Sequence, residues 1–183
     1  MLSDPEKKSL LSIARSAVEA ELKGIIFSRP TTIPDSFLSP SGAFVTLHRY
    51  GELRGCIGYI ESENKLIDTI IEVALKAALE DPRFNPVALE ELPELEFEIS
   101  VLTPTQQITD ISEIIVGTHG LIMQKGMRRG LLLPQVPTEY GWDRETFLNQ
   151  TARKAGLPIK AWQESDTKIF IFSAEVFNEN EFK

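Results

Sequence analysis

The sequence predicts a mixed helix-and-sheet domain, and three observations predict it. A hairpin, a helix and a strand follow one another between residues 43 and 102, the same order returns between 120 and 177, and an amphipathic helix precedes both.

Ser3, Asp4, Pro5 and Glu6 form a capping-box spacing with proline in the first turn. Leu10, Leu11, Ala14, Ala17, Val18 and Leu22 then recur at helical spacing, so the first helix spans about 4 to 23 and closes at Gly24. Residues 25–42 carry Pro30, Pro34, Pro40 and Gly42 among Phe27, Ile33, Phe37 and Leu38, which reads as an ordered loop pinned by its apolar residues. Ala43 to Arg49 and Leu53 to Ile60 are β-prone runs joined by Tyr50-Gly51-Glu52, a hairpin. Apolar residues at 66, 67, 70, 71, 74, 75 and 78 form a wide helical stripe that Asp81-Pro82 stops. In the next strand Leu95, Phe97, Ile99 and Val101 alternate with Glu96, Glu98 and Ser100.

The second half follows the same order. Gly120 to Lys125 and Arg128 to Leu133 flank a turn at Gly126-Met127, Asp143 to Ala155 is a helical run with Gly156 beyond it, and Lys168 to Phe177 reads as one strand. Shifted by 75 positions, Gly51-Glu52-Leu53-Arg54-Gly55 falls on Gly126-Met127-Arg128-Arg129-Gly130, the pattern of a degenerate duplication. The expected organisation is one domain over 1–183, with repeats at about 43–103 and 120–177.

Composition narrows the function classes. A chain of 183 residues and this hydrophobic content buries roughly 70% of its surface on folding, so it needs no metal or disulfide staple. Cys56 is the single cysteine, which excludes an intramolecular disulfide and a cysteine-rich zinc or iron–sulfur site. A reduced, cytoplasmic protein is expected, with no signal peptide at its N-terminus and no apolar run long enough for a membrane span. The 27 acidic against 19 basic residues argue against an electrostatically driven nucleic-acid binder. The two histidines are not spaced as metal ligands, and no Walker A loop or G-x-G-x-x-G follows a strand, so no metal or nucleotide cofactor is expected.

The densest chemical signal is Leu53-Arg54-Gly55-Cys56-Ile57-Gly58. Glycines inside a strand give up side-chain packing, so two around one cysteine indicate a bulge or a backbone that something approaches closely. The thiolate is the reactive form of cysteine, and a nearby cation favours it; Arg54 could serve only across a bulge, since adjacent strand residues face opposite ways. The competing reading is a lone cysteine packed as a small hydrophobe. A nucleophilic cysteine needs a base, for which His119 in Gly117-Thr118-His119-Gly120 is the candidate, against the plainer reading of a loop histidine bonded to backbone. His48 lies near the hairpin turn. Arg83, held between Pro82 and Pro86, has the planar fork that suits a carboxylate or phosphate, or it pairs with an acidic neighbour or the helix C-terminus.

The hexapeptide around Cys56, with Ala78-Leu79-Glu80-Asp81-Pro82-Arg83-Phe84, Glu91-Leu92-Pro93, Gly117-Thr118-His119-Gly120, Leu133-Pro134-Gln135-Val136 and Gly141-Trp142, resembles the AMMECR1-domain family in order and spacing, over about 6 to 177. Within the family the chain resembles the type called protein A of the AmmeMemoRadiSam system. The resemblance implies an α+β fold in which duplicated hairpin–helix–strand repeats form one barrel-like, mostly antiparallel sheet with outer helices. It also implies Memo-like and radical-SAM proteins as partners, and it names no reaction. The family pattern marks Arg54, Gly55, Cys56 and Gly58, then Asp81, Arg83 and Phe84, then His119 and Gly120; Tyr59 stands where many members have a small hydroxyl residue. Two functional readings follow. One is an enzyme or covalent group carrier with Cys56 and His119 catalytic and Arg54, Gly55, Gly58, Asp81 and Arg83 around the ligand, in a cleft between the repeats. The other is a non-catalytic adaptor that holds a small molecule or peptide.

Overall fold

A computed structural model describes residues 1–182. The chain divides into two compact units, Met1–Leu102 with the C-terminal segment from Glu175, and Thr103–Ala174.

In the first unit, helix α1 (Asp4–Lys23) starts with the Glu6 carboxylate accepting from the Ser3 backbone N–H at 2.7 Å, and ends at Gly24 with φ 64°. Strands β1 (Ala43–Arg49) and β2 (Glu52–Tyr59) form the expected hairpin. Tyr50 and Gly51 both have positive φ, 54° and 81°, the geometry of the tight turn whose twist matches its flanking strands. Helix α2 (Leu66–Leu79) and strand β3 (Leu95–Leu102) follow, both at the bounds the residue pattern indicates. β1 pairs antiparallel with β2 and with β3. Val45, Leu47, Phe97 and Ile99 are fully buried and form one core with Leu10, Ala14 and Val18 of α1 and Ile70, Ala74 and Ala77 of α2. The strands therefore present their odd-numbered core residues to the helices and their even-numbered ones, Phe44, Thr46 and Glu98 among them, to the opposite face.

In the second unit, a short strand β4 (Gln106–Ile108) precedes the hairpin β5 (Gly120–Lys125) and β6 (Arg128–Leu132). Helices α3 (Gln135–Glu139) and α4 (Arg144–Lys154) come next, the latter capped by Asp143, whose carboxylate accepts from the Thr146 N–H at 2.8 Å. Strand β7 (Lys168–Phe172) pairs with both β5 and β4. Phe147, Leu148 and Ala152 of α4 pack with Leu121, Met123, Ile169 and Ile171 of the sheet.

Two expectations are corrected. The strand read as continuous over 168–177 is two strands, because β8 (Ala174–Asn178) leaves the second sheet and joins the edge of the first. At the break, Ser173 bonds to Thr103 twice, its carbonyl accepting from the Thr103 N–H and its own N–H donating to the Thr103 hydroxyl, both at 2.8 Å. The barrel-like single sheet is likewise replaced by two open four-stranded sheets, of order β2-β1-β3-β8 and β4-β7-β5-β6. Neither closes, because each ends in edge strands that find no further partner among the described residues. In both, the third strand of a hairpin–helix–strand unit lies beside the first strand of its hairpin.

Candidate functional site

Cys56 lies on β2, at the edge of the first sheet, and the local register decides what surrounds it. His48 pairs with Leu53 but Leu47 pairs with Gly55, so Arg54 is an extra residue, a β-bulge. A plain two-residue turn would set Thr46 opposite Gly55; the bulge sets it opposite Cys56. The Thr46 hydroxyl donates to the Cys56 Sγ at 3.2 Å, and the thiol is half-buried. Thr46 was not among the residues singled out from the sequence. Only the bulge brings it to the cysteine, and the two glycines around Cys56 are the sequence signal of that bulge.

The two glycines have identifiable neighbours. A Cβ on Gly55 would stand 2.2 Å from the carbonyl oxygen of Ala77 in α2, and one on Gly58 would stand 2.3 Å from the Phe44 ring. The close approach inferred from the sequence is thus made by the protein itself.

Asp81 fixes the peptide of Cys56. Its carboxylate accepts the Cys56 N–H at 2.8 Å, the Arg83 N–H at 3.1 Å, Arg83 Nε at 2.9 Å and Arg83 Nη2 at 2.7 Å. Arg83 Nη2 also donates to the Cys56 carbonyl at 3.2 Å. Both outward backbone groups of one edge-strand residue are therefore satisfied by side chains of the loop after α2, which covers the strand edge at that point. The Asp81 side chain is only 2% exposed while that of Arg83 is 53% exposed. Hydrogen bonding to the Arg83 guanidinium holds the Asp81 carboxyl well below the usual carboxylate range, against the opposing effect of burial.

Arg54 is turned elsewhere. Its Nε and Nη2 form a fork on Glu91, both at 3.0 Å, and its Nη1 is buried without a partner. Glu91 also accepts from Arg49 at 2.8 Å and from the Ala88 N–H at 2.9 Å. Its pKa is lowered to about 2, chiefly by the hydrogen bonds from Arg54. The guanidinium carbons of Arg54 and Arg83 lie 6.0 and 5.5 Å from the centre of the Phe84 ring.

The first unit thus brings together Cys56, Gly55, Gly58, Asp81 and Arg83, with Arg54 on the adjoining bulge. His119 belongs to the second unit, where its Nδ1 accepts from the Ile115 N–H at 3.2 Å. A neutral ring held this way carries its proton on Nε2. Among the described residues, no group of three or more His, Cys, Asp or Glu is arranged to hold a metal ion.

Comparison with known proteins identifies the family of the chain. The family model described as AMMECR1 matches residues 11–177. A protein of Methanothermobacter thermautotrophicus is 47% identical over 186 residues, covering 98% of this chain and 97% of its own length. Protein MJ0810 of Methanocaldococcus jannaschii is 44% identical, covering 92% and 87%. The crystal structure of the uncharacterized protein PH0010 from Pyrococcus horikoshii is 44% identical and superposes with a TM-score of 0.86 over 97% of this chain and 93% of that one. With a family match over most of its length and full-length relatives well above 40% identity, the chain belongs to the AMMECR1 family.

Proposed function

We propose that the protein is a cysteine-dependent enzyme or covalent group carrier, with Cys56 as the nucleophile. One observation carries the reading: a half-buried thiol is oriented by the Thr46 hydroxyl on a residue whose N–H and C=O are both clamped by the Asp81–Arg83 pair. A nucleophile on a strand, with its peptide held from both sides, has the positional precision that group transfer requires. In the transfer, the sulfur attacks an activated acyl carbon and the C–S bond forms as the bond to the leaving group breaks. The leaving group departs with that electron pair and the proton the thiol has lost. Attack by a second nucleophile then restores the thiol.

His119 enters as the base through its residue type and the family pattern alone. To take a proton at Nδ1 the ring must first give up its bond to Ile115. The Memo-like and radical-SAM partners that the family resemblance implies belong to this proposal as sources or acceptors of the group. The adaptor reading rests on Gly55 and Gly58 as the place where a ligand approaches, and their small size is accounted for by Ala77 and Phe44 without any ligand.

The test is alkylation of the intact protein by iodoacetamide at pH 7, read as a mass shift, which the single cysteine makes unambiguous. The nucleophile reading expects Cys56 to react faster than free cysteine, and His119→Ala to slow it. A wild-type rate no faster than free cysteine, unchanged in His119→Ala, overturns the nucleophile reading and makes the adaptor reading the one to pursue.

A further inference from the structure

Two arginines lie close to Cys56, and their bonding distinguishes what each can do. Arg54 has no capacity left for an incoming molecule. Its side chain is 15% exposed, two of its nitrogens are forked on Glu91, and the third is enclosed by protein. It is a strut between the bulge and the Leu89–Glu94 turn.

Arg83 is built the other way round. The carboxylate beneath it is buried and engaged by donors from both the strand and the loop, whereas its own side chain stands half in solvent. The Nε–Nη2 edge is used by Asp81, and Nη2 reaches the Cys56 carbonyl. Nη1 has no hydrogen-bond partner among the described residues, so a guanidinium fixed on one edge keeps a free nitrogen with two donor hydrogens. Pro82 and Pro86 restrict the loop that carries it, and Phe84 lies against the guanidinium. An ordinary surface ion pair has two mobile, solvated partners. Here the acid is fixed and the base is displayed beside the peptide of the cysteine.

We propose that the free Nη1 of Arg83 recognises an oxyanion, a carboxylate or phosphate oxygen, on the small molecule or group that meets Cys56, and that Arg54 takes no part in this recognition. The assignment of that molecule as substrate rests on the reading of Cys56 as a nucleophile; the binding of the oxyanion does not. Asp81 acts as a positioning residue, since one carboxylate holds both the guanidinium and the Cys56 N–H. Because Asp81 already neutralises Arg83, the oxyanion is held by the hydrogen bonds of Nη1 and not by net charge.

Two reagents that differ only in charge provide the test. Iodoacetate and iodoacetamide alkylate the same sulfur, one carrying a carboxylate and the other a neutral amide. The proposal expects the iodoacetate-to-iodoacetamide rate ratio at Cys56, at low salt, to exceed that of free cysteine by about tenfold, the size of one charge-assisted hydrogen bond. The ratio divides out any change in the intrinsic reactivity of the thiol. It should fall to the free-cysteine value in the double variant Asp81→Asn/Arg83→Gln, which removes the buried charge together with its partner so that neither is left alone, and fall only in part in Arg83→Lys. Inorganic phosphate should compete with iodoacetate more than with iodoacetamide. A wild-type ratio equal to that of free cysteine, or one that survives the double variant, overturns the proposal. If Cys56 is inert to both reagents, the nucleophile reading fails by itself. The oxyanion edge is then judged by titrating inorganic phosphate against the amide NMR signals of Cys56 and Phe84: a saturable shift lost in the double variant supports it, and no saturable shift overturns it.

Discussion

Two carboxylates organise the surroundings of Cys56, and each is held by arginine for a different purpose. Asp81 fixes the strand edge, whereas Glu91 ties the bulge and the hairpin to the turn before β3 through Arg54 and Arg49. The Glu91 pair is the more useful experimentally, because its side chains are 15% and 17% exposed and its pKa falls within a titratable range. A carboxylate whose pKa drops from 4.5 to about 2 on folding contributes stability that is fully present above its unfolded pKa and lost as pH falls through the folded one. That shift corresponds to about 3 kcal/mol, of which solvent screening removes a part. In urea titrations from pH 7 to 2, Glu91→Gln should be less stable than the wild type at pH 7. The gap should narrow between about pH 4.5 and 2, as the wild type loses what the variant never had. An equal gap at both ends would mean that the Glu91 charge contributes nothing.

At the level of the element, Gly55 and Gly130 tie sequence to packing. Each sits on the second strand of its hairpin, and a Cβ on Gly130 would stand 2.2 Å from the backbone nitrogen of Ala155, just beyond α4, as one on Gly55 would from the Ala77 carbonyl. Backbone cannot move aside as a side-chain end can, so Gly55→Ala and Gly130→Ala should each cost about 1–3 kcal/mol or more in urea unfolding. Gly126→Ala, at a turn with open space but φ 57°, meets no atom and should cost about 1 kcal/mol through its left-handed backbone alone. The pair also shows how far the sequence could be read. The shift that aligns Gly55 with Gly130 was visible, and so were the helices and hairpins, because apolar spacing over ten or more residues records which face is buried. The Lys168–Phe177 run was misread because alternation records a face and not a partner: Ile169, Ile171 and Phe177 are all buried, though Phe177 belongs to a different sheet. β4 is three residues with two exposed glutamines, and α3 is five residues with Pro137 inside, so neither is long enough to show a period. Within the site, Cys56, Asp81 and Arg83 could be named as residues, but the Thr46 contact depends on a one-residue bulge that the hairpin pattern does not reveal.

For the whole molecule, the path of the chain couples the two units whatever their individual stabilities. β3 of the first sheet runs on to β4 at the edge of the second, and β7 of the second runs on to β8 at the edge of the first. The first unit is therefore completed only by residues that follow the second: Phe177 of β8 is fully buried in its core, and Glu179 holds Arg15 of α1 at 2.6 Å. If the second unit unfolded alone, β8 could stay in place only by closing a loop of about 70 disordered residues, at an entropic cost of about 4 kcal/mol plus a constant. Releasing β8 would instead remove Phe177 from the core, a loss of similar size. Either route penalises the half-unfolded state, so the transition should be cooperative across both units. The sequence supplies the probes. Both tryptophans, Trp142 and Trp162, lie in the second unit, whereas the longest helices, α1 and α2, lie in the first. Urea unfolding followed by tryptophan fluorescence and by far-ultraviolet circular dichroism should give superimposable curves. A fluorescence midpoint clearly below that of circular dichroism would show that the second unit opens first, and that the exchange of edge strands does not bind the two units into one folding transition.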